Sequence, residues 1–80
     1  SNRALGVLER AAENLTAHIP AHKRPPATMV AAHIWAMSHG VVELFARGAP
    51  GTKSPYPPED LLEGGIGIYL RGLGLVPQDS

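Results

Sequence analysis

Apolar residues recur along the chain with a helical period, and two proline-rich segments interrupt that period. In the first helical segment, about residues 3–18, the apolar positions lie three or four residues apart, which predicts one buried stripe: Leu5, Leu8, Ala12, Leu15 and Ile19. This helix should end at Pro20, because proline removes a backbone donor and clashes with the preceding turn. The same period predicts helices over about 27–47 and 58–73. No stretch alternates as a strand does, so the predicted fold class is all-α.

The segment 27–47 is the longest and most apolar of the three. At 100° per residue its large apolar side chains occupy about half of the helix circumference, whereas a surface helix usually has an apolar sector of ~100°. These side chains are Val30, Ile34, Met37, Val41, Leu44 and Phe45, and Ala31, Trp35 and Val42 extend the sector. We therefore expect this helix to be the most buried one and to be covered from two directions, which two other helices cannot achieve alone.

A line of small residues follows the opposite side of this segment, where Thr28, Ala32, Ala36 and Gly40 recur every four positions. Small side chains let two helix backbones approach closely. A glycine inside a helix costs about 1 kcal/mol relative to alanine, so close packing would explain Gly40. The alternative is an exposed face on which alanine is simply a good helix former.

The third segment, which starts at "YPPED" and should be closed by Gly74 with Pro77, is rich in glycine and has poor intrinsic helix propensity. Such a segment needs tertiary or quaternary contacts to stay helical. We therefore predict that the last two helices form a four-helix bundle across a homodimer. The expected interface combines Ala32, Ala36, Gly40 and Glu43 of one helix with Leu62, Ile66, Tyr69 and Leu73 of the other.

Composition narrows the functional classes. Seven Lys and Arg balance seven Asp and Glu in 80 residues, which leaves no basic field for nucleic acid. The absence of cysteine excludes disulfides and thiolate metal sites. No apolar run reaches the ~20 residues of a membrane span and no signal-peptide pattern opens the sequence, so a cytoplasmic protein is expected. Ser1-Asn2 resembles the remnant of a cleaved tag, so one domain is expected over residues 3–80.

The histidines raise the question of a metal site. Pro20 separates His18 from His22, so these two do not share a regular helical turn. His39 and Glu43 share a helix face and could supply half of a site, but no further ligand is specified and no metal is expected. The alternative for this pair is a polar ladder from His39 through Glu43 to Arg47.

Catalytic chemistry is not indicated. Ser38 and His39 are adjacent in a helix and point about 100° apart, without an orienting acid. The glycines of the third segment follow no strand and precede no lysine, so they form no phosphate loop. We predict neither an enzyme nor a cofactor. Trp35, Met37 and Phe45 could contact an aromatic or lipophilic effector, although a tryptophan in a wide apolar sector is more often part of a core.

The pattern Trp35-x-x-x-His39-Gly40, followed by an apolar run and Gly48, resembles the W-x-x-x-H-G signature of the C-terminal domain of TetR/AcrR-type transcriptional regulators. The segment "PPEDLLEGGIGIYLRGL" is similar to the last helix of that domain. The resemblance covers about the last fifty residues well, and residues 3–19 are compatible with the preceding helix.

This resemblance implies a regulatory domain whose last two long helices pair with those of a second copy, with an inducer cavity beside them. Trp35, His39 and Gly40 would be its signature residues. The family's helix-turn-helix domain and most of its cavity walls are not among these residues, so the chain is expected to be a partial domain that cannot itself bind DNA. The expected function is dimerisation and effector response in a TetR-like repressor. The alternative is a stand-alone helical adaptor that docks on another protein through helix 27–47.

Overall fold

The computed structural model describes residues 3–47 and 55–75. Within these ranges the chain forms three helices and no strand: α1 (Arg3–Thr16), α2 (Ala27–Arg47) and α3 (Pro58–Gly72). The all-α prediction and the positions of the three helices are confirmed, and α1 ends slightly earlier than predicted. The two opening residues, which the sequence suggests are a tag remnant, lie outside the described residues.

The chain divides into two units, and the boundary falls within α2. The first unit, Ser1–Trp35, contains α1, the turn after it and the first part of α2. The second unit, Ala36–Ser80, contains the rest of α2 and α3.

The first unit has a small buried core. Ala12 and Thr16 of α1 and Val30 and Ala31 of α2 are each at most 2% exposed. The Thr16 hydroxyl donates a hydrogen bond to the Ala12 carbonyl at 2.8 Å, so burial leaves its polar group satisfied. The prediction that Leu15 belongs to the buried stripe is wrong, because Leu15 is 47% exposed. After Ala12, the next buried residue of α1 is Thr16, four residues later, and not Leu15, three residues later.

Arg24 holds the turn after α1. Its Nε and Nη2 groups donate to the Ile19 carbonyl at 3.0 and 2.7 Å, and Nη2 also donates to the Ala17 carbonyl at 3.1 Å. The carbonyls at a helix C-terminus lack partners within the helix, so a basic side chain that reaches them acts as a cap. A further backbone bond from Lys23 N–H to the Pro20 carbonyl, at 2.8 Å, closes the turn.

Proline residues precede both later helices, as the sequence predicts. The Pro26 carbonyl accepts hydrogen bonds from the Met29 and Val30 amides at 3.0 and 3.1 Å. Pro57 occupies the N-cap position of α3, with Pro58 as the first helical residue. Proline suits the first helical position, because a backbone N–H there would have no acceptor within the helix.

The C-terminus of α3 has the hydrogen-bond pattern of a Schellman motif. The Leu75 amide donates to the Leu70 carbonyl at 2.9 Å and the Gly74 amide to the Arg71 carbonyl at 3.0 Å. Gly74 has a φ of 78°, a left-handed conformation that glycine adopts without a steric penalty. The prediction that Gly74 closes α3 is confirmed, and Pro77 lies outside the described residues.

The second unit lacks a fully buried residue over residues 36–47 and 55–75. Val41 and Phe45 of α2 are half-buried, whereas Val42 and Leu44 are 62% and 51% exposed. The expectation that α2 is the most buried helix is wrong, because α2 has two fully buried residues, Val30 and Ala31, and the shorter α1 has as many. The rest of α2 after Ala31 is half-buried or exposed.

The expectation that no apolar run in this chain reaches the length of a membrane span is wrong for α2. The stretch Ala27–Ala46, 20 residues with a mean hydropathy of 1.3, is long and apolar enough to cross a membrane, and only 11% of it is buried. An average over a window tolerates isolated polar residues such as His33 and Ser38, which an uninterrupted run does not. Core helices of soluble proteins meet the same criterion, so length and composition do not place α2 in a membrane.

Candidate dimerisation surface

The small residues of α2 lie on an open surface. Ala32, Ala36 and Gly40 are exposed, and so is Glu43. A Cβ atom added at Gly40 would meet nothing within 4 Å. The described part of this chain therefore contains no close helix packing at Gly40, and the surface is free to accept another helix.

One polar contact lies on the edge of this surface. Arg47 Nε donates to Glu43 Oε1 in an ion pair one turn apart along α2, and both side chains are exposed. This pair confirms the Glu43–Arg47 step of the ladder that the sequence suggests. His39, one turn before Glu43, is exposed rather than buried. Exposed pairs of this kind contribute about 0.3–0.5 kcal/mol and mainly orient the side chains.

The four residues that the sequence predicts on α3 lie on a half-buried face. Leu62, Ile66, Tyr69 and Leu73 are each partly covered. Gly65 lies on the same side, and a Cβ atom added there would stand 3.6 Å from the sulfur of Met37. Burial raises the pKa of the Tyr69 phenol above 10.0, because the charged form loses hydration. This face of α3 is therefore partly covered by its own unit.

The predicted effector contacts are half-buried, and two surface clefts lie elsewhere. Trp35, Met37 and Phe45 are each partly exposed. A cleft of about 420 Å³ in the first unit is lined by Glu13, Thr16, Ala17, Ala21, Arg24, Pro25, Pro26 and Ala27. A second cleft of about 420 Å³, on α3, is lined by Asp60, Glu63, Gly64, Gly67 and Arg71. Neither of these clefts includes a predicted effector contact.

The histidines are distributed over the surface. His18 and His22 are exposed in the turn after α1, and His33 and His39 are exposed on α2. Over residues 3–47 and 55–75, no group of three or more histidine and acidic side chains is placed to hold a metal ion.

Two features were not found from the sequence. The first is Arg24, whose guanidinium group donates to the carbonyls five and seven residues earlier in the chain. The only sequence signal for these bonds is the basic pair Lys23-Arg24, which follows the end of α1. The second feature is an exposed face on α3, on which Leu61 and Ile68 are 40% and 67% exposed. From the sequence, only the face of Leu62, Ile66, Tyr69 and Leu73 was expected to make contacts.

The chain was compared with protein-family models, with curated proteins and with solved structures, and none of the three comparisons finds a match.

Proposed function

We propose that this chain is the dimerisation and effector-response part of a TetR-like transcriptional regulator. The resemblance of Trp35-x-x-x-His39-Gly40 to the family signature suggests this function. The observation that carries it is the incomplete burial of the second unit, in which no described residue is fully buried, beside an open line of small residues on α2.

The proposal gives these exposed groups a physical role. Burying apolar surface contributes about 25 cal/mol per Å², and an obligate dimer interface commonly buries ~2,000 Å² or more in total. A second copy would cover Ala32, Ala36, Gly40 and Glu43 of α2 with the Leu62, Ile66, Tyr69 and Leu73 face of α3, as predicted from the sequence. The open space at Gly40 is consistent with a helix approaching closely at that point.

In this proposal the effector binds beside the bundle and Trp35, Met37 and Phe45 are its contacts. Each of them is half-buried, so each has surface that a ligand could cover. Operator binding would belong to a helix-turn-helix domain outside these eighty residues, and the protein would act in the cytoplasm.

Sedimentation equilibrium of the chain at tens of micromolar tests the dimer. Ala36→Arg should abolish this contact and lower the mass of the assembly, because an unpaired charge buried in an interface is strongly unfavourable. Since Ala36 is exposed, the substitution should leave the single chain folded, which far-ultraviolet circular dichroism would verify. The matched control is Val42→Arg, on the same helix, 62% exposed and about 120° away around the axis, which should leave the dimer intact.

Gly40→Ala provides a second test with opposite effects on folding and association. In the single chain it should stabilise α2 by about 0.5–1 kcal/mol, since nothing obstructs the new methyl group. In the proposed dimer the same methyl group would separate two close helices and weaken association. A monomeric parent chain at tens of micromolar would contradict the proposal, as would Gly40→Ala strengthening both properties.

The alternative function is a helical adaptor that docks on a different protein through α2. Exposure of Met29, Val42 and Leu44, at 50%, 62% and 51%, favours this possibility. The reading frame upstream of Arg3 separates the two functions. A helix-turn-helix segment of about fifty residues would support the regulator, and a start codon directly upstream would support the adaptor.

A further inference from the structure

α3 has a second, exposed face on the side away from its half-buried one. At about 100° per residue, Asp60, Gly64, Gly67 and Arg71 lie opposite the face formed by Leu62, Ile66, Tyr69 and Leu73. Two large apolar side chains lie along one edge of this second face: Leu61 is 40% exposed and Ile68 is 67% exposed. Large apolar side chains grouped on one exposed face indicate a contact surface better than scattered ones do.

The charges of this face are arranged symmetrically about its centre. Asp60 lies in the first turn of α3 and Arg71 in the last turn, about 16 Å apart at ~1.5 Å per residue. Over residues 3–47 and 55–75, neither side chain forms an ion pair. The shallow cleft between them, about 420 Å³, contains Gly64 and Gly67 at its centre.

The centre of this face can accept another helix at short distance. A Cβ atom added at Gly64 would meet nothing within 4 Å. One added at Gly67 would meet only the guanidinium group of Arg71, at 3.5 Å, which is the far end of a flexible side chain. If Arg71 moves to an acidic partner, both glycine positions are open.

We propose that a second copy of the chain binds to this face, with the two α3 helices antiparallel and related by a two-fold axis between Gly64 and Gly67. In that register Asp60 lies opposite the partner's Arg71, and Arg71 lies opposite the partner's Asp60. Gly64 lies opposite the partner's Gly67, where the two helices are closest. Leu61 and Ile68 cover one side of the contact, next to the partner's Ile68 and the partner's Leu61.

Charge complementarity identifies the occupant as a copy of this chain. A two-fold interface brings each patch onto itself, so it requires a surface complementary to its own reversed image. A face with an acid at one end and a base at the other, equally distant from the centre, meets that requirement. The chain has a formal net charge of zero, so two copies approach without overall repulsion.

Helix electrostatics offers a simpler reason for the same charges, because acids near an N-terminus and bases near a C-terminus stabilise a single helix. That explanation predicts an effect on the stability of α3 at any protein concentration. The proposed contact predicts an effect on self-association and a rescue when both charges are exchanged. Measurements of association therefore separate the two explanations.

This contact does not depend on the proposed function, since it uses the face of α3 opposite the one in the predicted bundle. If both contacts form, each chain has two partners and the assembly is larger than a dimer, and Ala36→Arg and substitutions at Arg71 remove different interfaces. The experiment therefore uses sedimentation equilibrium in two backgrounds, the parent chain and the Ala36→Arg variant. In the Ala36→Arg background we expect a dimer held by α3 alone.

Arg71→Asp should weaken this α3 dimer roughly tenfold or more, because two attractive pairs become two repulsive ones. The double variant Asp60→Lys with Arg71→Asp restores both pairs with exchanged signs and should recover the affinity. Glu59→Lys, which also changes the charge by two but lies about 100° from Asp60 around α3, is the matched control and should have little effect. All three side chains are exposed, so circular dichroism should show unchanged helix content.

Ile68→Glu gives an independent test, since this register places Ile68 beside the partner's Leu61 and the substitution puts a charge into an apolar contact. It should abolish association through α3 without unfolding the chain, because Ile68 is 67% exposed. A monomer at tens of micromolar in the Ala36→Arg background would overturn the proposal. So would an unchanged affinity in Arg71→Asp, or a double variant that associates no better than Arg71→Asp alone. None of these three results would contradict the proposed contact through Ala36, which is tested separately by comparing the parent chain with Ala36→Arg.

Discussion

Val30→Ala tests whether the small core of the first unit stabilises the fold. The Val30 side chain is 0% exposed, and the substitution removes two carbon atoms from it. At about 0.8 kcal/mol for each buried methylene, the loss of burial is about 1.6 kcal/mol, to which the remaining cavity adds. The better helix propensity of alanine returns about 0.5 kcal/mol. The free energy of unfolding should therefore fall by about 1–2 kcal/mol.

Val42→Ala is the matched control, because it makes the same substitution in the same helix at a residue that is 62% exposed. At this exposed position only the difference in helix propensity between valine and alanine remains, so the free energy of unfolding should be unchanged or higher by about 0.5 kcal/mol. Urea unfolding followed by circular dichroism at 222 nm gives both values, measured at two protein concentrations to detect any contribution from association. A Val30→Ala variant as stable as Val42→Ala would refute the assignment of the core.

Three further predictions concern single groups. Gly74→Ala should lower the free energy of unfolding by about 1 kcal/mol, because φ is 78°. Gly72→Ala, at the last residue of α3 with nothing within 4 Å of the new atom, should not lower it, and thermal unfolding would show the difference. Arg24→Met should destabilise the chain by about 1 kcal/mol through the loss of the α1 cap, and Lys23→Met should not, as urea unfolding would show. Because the pKa of Tyr69 is raised in the folded chain, its contribution to the free energy of unfolding is fully present below about pH 10 and is lost at higher pH. Tyr69→Phe should not show this loss. If the parent chain and Tyr69→Phe lose stability equally as the pH rises above 10, the burial of Tyr69 is contradicted.

Local chemistry explains why the helices could be predicted from the sequence. Pro20, Pro26 and Pro58 mark helix boundaries because proline fixes φ and lacks a donor, and Gly74 ends α3 for a related backbone reason. These effects depend on one or two residues each. The spacing of apolar residues then identified the helices between those boundaries.

Positions that depend on tertiary geometry were harder to predict. Leu15 is apolar and has the expected spacing, yet Thr16 is buried instead, because its hydroxyl finds a partner on the preceding turn. Arg24 caps α1 only because the turn folds back, which no local pattern indicates. The candidate surface could be predicted as a set of residues, but the contacts that would complete it involve a second molecule. The exposed face of α3 was missed for a related reason, since its charges suit an isolated helix equally well.

The Arg24 cap gives the connection between α1 and α2 a fixed length. Surface turns usually tolerate insertions and deletions, because few contacts depend on the number of residues in them. Here the guanidinium group reaches back to the carbonyls of Ala17 and Ile19, and α2 begins at Ala27, three residues after Arg24. One residue added between Ile19 and Arg24 would move the donor away from both acceptors. A tag, an epitope or a protease site introduced into this protein would therefore be tolerated poorly at this turn, although the turn is on the surface.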